Sequence, residues 1–343
     1  MTPSSRTRLL AALASAAVLA TACGGTGDDA STSGSASASG SASASGSASA
    51  TGSASASGSA TAEATGAADG ETRTVTHAMG ETEVPADPQR VVVLDSSHLD
   101  AALSLGLTPI GAVQSSVDDG LPAYLGDRTE GIEVVGTITE PDLELIASAQ
   151  PDLILSAKVR HEEVYPQLSE IAPTVFTESS GTSFKDGLAT IADALGRMDE
   201  LEEQLAAYEE RAGEVGEAVG AEGMSATIVR FLPGETRLYG PETFSGTVLT
   251  DIGFDLGDKG FDENPYSMAL ISPEQADMAE GDVIFHTTYG DPAETTLGDM
   301  QPLLEQLDAS LVEVDDREWM LGIGLIGAEQ ILDDVEDELG GAA

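Results

Sequence analysis

The sequence predicts an α/β protein of two lobes joined by one long α-helix, preceded by a secretory leader and a disordered linker. Three observations carry this. Strand-type apolar runs alternate with helix-type periodicity, a central stretch keeps helical spacing with no strand in it, and the layout of one segment before that stretch is repeated after it.

Residues 1–22 read as a signal peptide: Arg6 and Arg8 are followed by an apolar run from Leu9 to Ala20 and then by small residues. That run is too short to cross a bilayer core stably. Cys23, the only cysteine in 343 residues, excludes an intramolecular disulfide and sits in Leu19-Ala20-Thr21-Ala22-Cys23. This segment resembles a bacterial lipobox, although Ala20 stands where Leu is usual, and the resemblance implies cleavage before Cys23 and lipid on its thiol. More than one acyl chain would make such an anchor stable. Residues 23–72, almost entirely Ser, Ala, Gly and Thr after the cysteine, have too little apolar bulk for a core. As a flexible chain they would reach roughly 40 Å. The folded part is therefore expected outside the cytoplasm, leashed by lipid to the outer face of the membrane.

Acidic residues number 60 against 14 basic ones, for a formal charge of −46. So negative a surface repels phosphate backbones and anionic lipid headgroups, which argues against nucleic-acid binding and against a basic membrane-surface patch.

Within the folded part, Thr74–Thr76 and Glu83–Pro85 suggest a short strand pair, and Arg90–Leu94 a buried strand. A helix follows from Ser97 to about Leu105, capped by Ser96 or Ser97 and ended by Gly106, then a strand over Ile110–Val113. Helix 142–149, strand 153–156, helix 162–171 and strand 174–177 continue the alternation, which implies a parallel sheet covered on both faces. From about Ser183 to Val219, Leu188, Ile191, Leu195, Met198, Leu201, Leu205 and Tyr208 recur at three- and four-residue steps, with Gly213 and Gly216 expected to fray or bend the end. Beyond it come strand 227–232, helices 243–252 and 273–279, strands 283–285 and 311–314, and a last helix over about 325–339. The lobes are accordingly placed at 73–181 and 221–343, with the connecting helix at 182–220. Glu144 and Asp152, eight residues apart around a Pro, find an echo in Glu274 and Asp282, eight apart around a Gly.

The ordered set Arg90-Val-Val-Val-Leu94, Gln150-Pro-Asp-Leu-Ile-Leu155, Leu168-Ser-Glu-Ile-Ala-Pro-Thr-Val175 and Trp319-Met-Leu-Gly-Ile-Gly-Leu325 resembles the substrate-binding proteins of ABC importers, over about residues 75–339. The resemblance implies two Rossmann-like lobes joined by a rigid helix, with a ligand cleft between them. Lys158-Val-Arg-His-Glu162 and Arg237-Leu-Tyr-Gly-Pro-Glu-Thr-Phe-Ser245 are most similar to the binders of ferric hydroxamate and mixed-carboxylate siderophores, while haem and cobalamin binders share the scaffold. It also implies a permease partner docked through one surface glutamate per lobe, for which Glu144 and Glu274 stand in the matching places, and a monomer.

Ligands of open α/β sheets bind beyond the carboxyl ends of the strands. There lie Lys158, Arg160 and His161 after one strand, and Arg237 and Tyr239 after another, with Arg230 inside it. Phe244 and Trp319 are candidate aromatic walls. Cations in so acidic a chain could equally be paired with carboxylates to hold loops, and Trp319 could equally be core. A ferric siderophore already encloses its iron in oxygens, so it needs hydrogen-bond donors and apolar walls rather than metal ligands. Direct metal capture is disfavoured, since His77, His98, His161 and His286 form no close pair. No Gly-x-Ser-x-Gly, Ser-x-x-Lys, His-Glu-x-x-His or phosphate-loop motif is present, so no catalytic residue is assigned. A hydrolase with paired carboxylates and a cell-wall scaffold remain the alternatives from other classes.

Overall fold

Alternating faces of the buried strands divide this protein into layers. Val91 and Val93 look toward one side of their sheet and Val92 toward the other, as do Leu153 and Leu155 against Ile154, and Ile228 and Phe285 against Val229 and Ile284. The computed structural model describes residues 71–114 and 120–341. The expected signal peptide, Cys23 and nearly all of the linker lie outside the described residues.

A hairpin of β1 (Thr72–His77) and β2 (Gly80–Pro85) opens the chain. The first sheet holds β3 (Val91–Val93), β4 (Gly111–Gln114), β5 (Glu133–Thr137), β6 (Leu153–Ala157) and β7 (Thr174–Thr177), all parallel, in the order β5-β4-β3-β6-β7. Helices α1 (Ser96–Ser104), α2 (Leu143–Ala149), the single turn α3 (Lys158–His161) and α4 (Tyr165–Ile171) follow its strands. The second sheet holds β8 (Ala226–Leu232), β9 (Glu235–Tyr239), β10 (Met268–Ile271), β11 (Val283–Thr288) and β12 (Ser310–Glu313) in the order β10-β9-β8-β11-β12. Its helices are α7 (Phe244–Ile252), α8 (Leu297–Leu304), the turn α9 (Asp316–Trp319) and α10 (Leu325–Leu339). The two orders place corresponding strands in corresponding positions, β3 and β8 at each centre. They differ in that β9 and β10 run antiparallel to their neighbours.

Between the sheets the expected single helix is two: α5 (Phe184–Leu195) and α6 (Met198–Val219). Gly196 breaks them apart, adopting the left-handed conformation (φ 70°) that closes α5; a β-carbon there would lie 2.5 Å from the Ala86 carbonyl. Gly216, by contrast, does not fray α6. It brings α6 against the end of α7, where a β-carbon would sit 2.1 Å from the Ile252 carbonyl. The cap of α1 is Asp95, whose carboxylate accepts from Ser97 N–H, rather than Ser96 or Ser97.

One continuous apolar core joins the inner faces of both sheets through α1, α5, α6 and α10, so the folded residues form one compact unit. Asp100 of α1 crosses to α10, accepting from the backbone N–H groups of Ile326 and Gly327 at 3.0 Å each and from Tyr124 Oη at 3.0 Å. Ser183 N–H donates to the Glu242 carbonyl, a second tie between the halves. Among the described residues no helix is long and apolar enough to cross a membrane.

Candidate functional site

Between the two sheets lies a cavity of about 360 Å³. The first half of the chain supplies Arg160, on the turn that begins where β6 ends, and the Ser179–Thr182 loop after β7. The second half supplies Arg237 and Tyr239, alternate residues on one face of β9, with Phe244 at the start of α7 and Tyr266 just ahead of β10. Two cationic side chains thus meet across a wall of aromatic rings and hydroxyls.

Asp95 positions the near wall. Its buried carboxylate accepts from Arg160 Nε (3.2 Å), Ser180 Oγ (2.7 Å) and Ser97 Oγ (2.9 Å), tying together the turns after β3, β6 and β7. Burial alone would raise this carboxyl, but the fields of His98 and Arg160 and the bonds from Ser180 and Ser97 outweigh it and hold it below the ordinary value. With Nε held, the outer nitrogens of the Arg160 fork are left for the cavity.

On the far wall, Arg230 donates through Nε and Nη2 to the two oxygens of Asp316 (2.7 and 2.6 Å), and through Nη1 to Tyr239 Oη (3.3 Å). A guanidinium can only donate, so the Tyr239 oxygen is the acceptor and its own proton is free to point into the cavity. Tyr289 covers the guanidinium face, its ring centroid 4.9 Å away. Thr287 Oγ1 adds a third donor to Asp316 at 3.2 Å. Arg237 bonds Glu235 at its rear.

Residues 91–306 match the model of the periplasmic binding protein family. The chain belongs to that family. It is 36% identical over 283 residues to the probable siderophore-binding lipoprotein YfiY of Bacillus subtilis, covering 78% of this chain and 87% of that one. With the Fe(3+)-citrate-binding protein YfmC of the same organism it shares 29% identity over 273 residues, 77% of this chain and 85% of the relative. Among solved structures, Staphylococcus aureus SirA complexed with staphyloferrin B superposes with a TM-score of 0.70 at 30% identity, over 78% of this chain and 98% of that one.

In this periplasmic binding protein the sequence-predicted residues separate into two groups. Arg160, Arg237, Tyr239, Phe244 and Trp319 line the cavity. Arg230 does not; it lies behind Tyr239 as a buried ion-pair partner, because an inward side chain at the centre of a strand has no solvent to reach. His161 is also structural. Burial holds its ring below the ordinary imidazole value; Nε2 donates to the Ile138 carbonyl (2.9 Å) and Nδ1 therefore accepts from Ser156 Oγ (2.7 Å). Lys158 pairs with Glu178 at 3.4 Å and, with His161, lines a neighbouring pocket that shares Val159 and Arg160 with the cavity. Trp319 is both core and wall: it lines the cavity, yet it is fully buried, its ring 4.8 Å from that of Phe285, its Nε1–H donating to Asp334 and its carbonyl accepting from Ser245 Oγ.

Sequence reasoning missed the Ser179–Thr182 loop and Tyr266. Both carry a readable signal, hydroxyls after a strand end in one case and an aromatic between Pro265 and Ser267 in the other. Glu144 and Glu274 occupy the first turns of short helices on different sheets, Glu144 behind an Asp142 cap and Glu274 behind a Ser272–Gln275 capping box. The echo around them is structural too: Asp152 accepts from the N–H groups of Gln89 and Arg90, Asp282 from that of Ser225, each fastening the start of the central strand of its sheet.

Proposed function

We propose that this protein captures a ferric siderophore of the hydroxamate or mixed-carboxylate type between its two sheets and hands it to an ABC permease. The observation that carries the reading is the pairing of Arg160 with Arg237 and Tyr239 across one cavity walled by aromatic and hydroxyl groups. Chelate oxygens around ferric iron carry negative charge and accept hydrogen bonds; the Arg160 fork, the Arg237 guanidinium and the directed Tyr239 hydroxyl donate them. Phe244 and Tyr266 offer faces to the apolar parts of the chelator. Relatives from two genera, a probable siderophore-binding lipoprotein, an Fe(3+)-citrate-binding protein and SirA complexed with staphyloferrin B, support the same ligand class.

Lipid on Cys23 and a linker over 23–72 would hold the folded part, as a monomer, at the outer face of the membrane. Glu144 and Glu274, one on each half, are the residues proposed to dock into the permease. The domain limits of 73–181 and 221–343 about a connecting segment at 182–220 belong to this proposal, with the connector being the α5–α6 pair.

Calorimetric titration of protein starting at Arg73 with ferric and iron-free siderophores, haem and cobalamin tests the reading. A ferric siderophore is expected to saturate at one site, with Arg160→Ala and Arg237→Ala each weakening it roughly tenfold to a hundredfold, the worth of a hydrogen bond to a charged group. Saturation by haem or cobalamin instead would replace the ligand and keep the fold. No binding across the panel would remove ligand capture at this cavity.

A further inference from the structure

The cavity between the sheets is not closed at the Tyr266 side. A second cavity of about 400 Å³ adjoins it, and the two share Ser179, Thr182 and Tyr266 as a common wall. Tyr266 is 48% exposed on the lip between them, although the backbone that carries it is well held. Its N–H donates to Asn264 Oδ1 (2.8 Å), and the next residue, Ser267, is buried in the left-handed region (φ 52°) with its carbonyl accepting from Gly240 N–H at 2.7 Å. On so fixed a backbone the Tyr266 ring stands with Ser179 and Thr182 as the divider between the two chambers.

The chambers differ in polarity. The first is lined by Arg160 and Arg237, whereas the second has no Lys, Arg or His among its lining residues and carries the carboxylates of Glu178 and Asp186 with the hydroxyls of Thr177, Ser183 and Thr190. Asp186, in the first turn of α5, makes no side-chain ion pair among the described residues; Glu178 is shared at 3.4 Å with Lys158, which reaches it from the other side. At about 360 Å³ the first chamber stands near the lower limit of ~300–1,000 Å³ for small-molecule sites. A chelator with an arm longer than its iron core has the second chamber as its continuation.

We propose that the ligand is dipolar: an oxygen-rich ferric chelate held between Arg160 and Arg237, and an arm ending in a primary amine that passes Tyr266 and is held by Asp186 and Glu178. This rests on the reading of the first cavity as a ferric-siderophore site and names the class of siderophore. It also resolves how a strongly negative protein takes an anionic chelate, because the arm brings a compensating cation to the chamber where carboxylates face solvent.

The test uses matched pairs of ferric complexes, one pair built on a linear trihydroxamate and one on a citrate-based chelator, each with a free terminal amine or with that amine acetylated. Acetylation removes the cation and leaves the iron core unchanged. The amine form is expected to bind about threefold to tenfold tighter, the sum of two solvent-exposed charge pairs, with the preference shrinking toward unity in ~1 M salt. Asp186→Asn together with Glu178→Gln should bring the two forms within twofold while leaving the acetylated complex bound as before; Glu305→Gln, an exposed acid in neither cavity, should leave the preference intact. Equal affinities in the unaltered protein would overturn the dipolar ligand and leave ferric-siderophore capture standing. A preference that survives the double variant would also overturn it, since the general negative field would then be its source. If no ferric complex binds, the reading of the first cavity falls and the dipolar ligand with it.

Discussion

Replacing Arg230 by Ala should destabilise the fold before it affects any ligand. The guanidinium and the Asp316 carboxylate are buried together with two direct bonds at 2.7 and 2.6 Å, a third donor from Thr287 and a ring over the cation. Removing one partner of such a pair leaves the other charge in a poorly solvated place, at a cost of about 3–5 kcal/mol. With a urea m-value of ~2–3 kcal/mol per molar, the midpoint would fall by about 1–2.5 M. The two single variants should differ in pH dependence. In Arg230→Ala the stranded carboxylate can take up a proton, so the deficit should shrink in acid; in Asp316→Ala the stranded guanidinium cannot release one, and the deficit should persist. The single tryptophan, Trp319, is fully buried and its emission follows unfolding directly. A loss below ~1 kcal/mol in both variants at neutral pH, or a double variant no better than the sum of the singles, would refute a coupled buried pair. It would return Arg230 to the list of residues free to touch ligand.

Asp100 should make stability fall with rising pH. Burial raises its carboxyl from the ordinary 3.8 to about 6, against the hydrogen bonds from Ile326, Gly327 and Tyr124. The folded state therefore holds the proton more tightly than the unfolded chain, so this contribution is complete below the unfolded value and is lost as pH rises through about 6, by ~3 kcal/mol. Urea titrations of the unaltered protein and Asp100→Asn from pH 4 to 7 should show the stability difference drifting by that amount; a flat difference would contradict the assignment. Gly216→Ala should cost ~1–3 kcal/mol in the same assay, since the added methyl meets the Ile252 carbonyl, whereas Gly213→Ala, with nothing near its β-carbon, should be neutral or slightly stabilising. Glu144→Arg with Glu274→Arg should abolish cellular uptake of the ferric complex while leaving calorimetric affinity unchanged, and undiminished uptake would reject the docking role.

Four strands of the parallel sheet were legible because they are buried on both faces and read as apolar runs, such as Val91–Val93 and Leu153–Leu155, whereas β5 is largely exposed and left no such run. The antiparallel pair of β9 with β10 was not legible either. Glu235–Tyr239 opens with three polar residues, two of them charged, and so reads as a loop after β8, yet it is the strand that carries Arg237 and Tyr239 on one face. The break at Gly196 was equally hidden, since Leu195 and Met198 keep helical spacing across it and only the approach of Ala86 demands a glycine. Local pattern reports an element; which backbone crowds it is decided by residues over a hundred positions away.

The cations show the same limit from the side of function. In a chain with 60 carboxylates, clustering in sequence located the cleft, because basic residues are scarce enough for any concentration of them to stand out. It could not rank them, because every basic residue of that cluster found a partner: Lys158 in Glu178, Arg160 in Asp95, Arg230 in Asp316, Arg237 in Glu235. Pairing is therefore no guide to role here; among the three arginines exposure is, while Lys158, 33% exposed, is set apart by its place outside the cavity. The Arg160 side chain is 45% exposed and that of Arg237 29%, against 10% for Arg230. A carboxylate that takes one edge of a guanidinium and leaves the other to solvent fixes a donor at the cavity wall. One that takes both edges removes the residue from the ligand and makes it a prop for the next hydroxyl, as Asp316 does to Arg230 on behalf of Tyr239. The geometry of the anion decides which arginines bind.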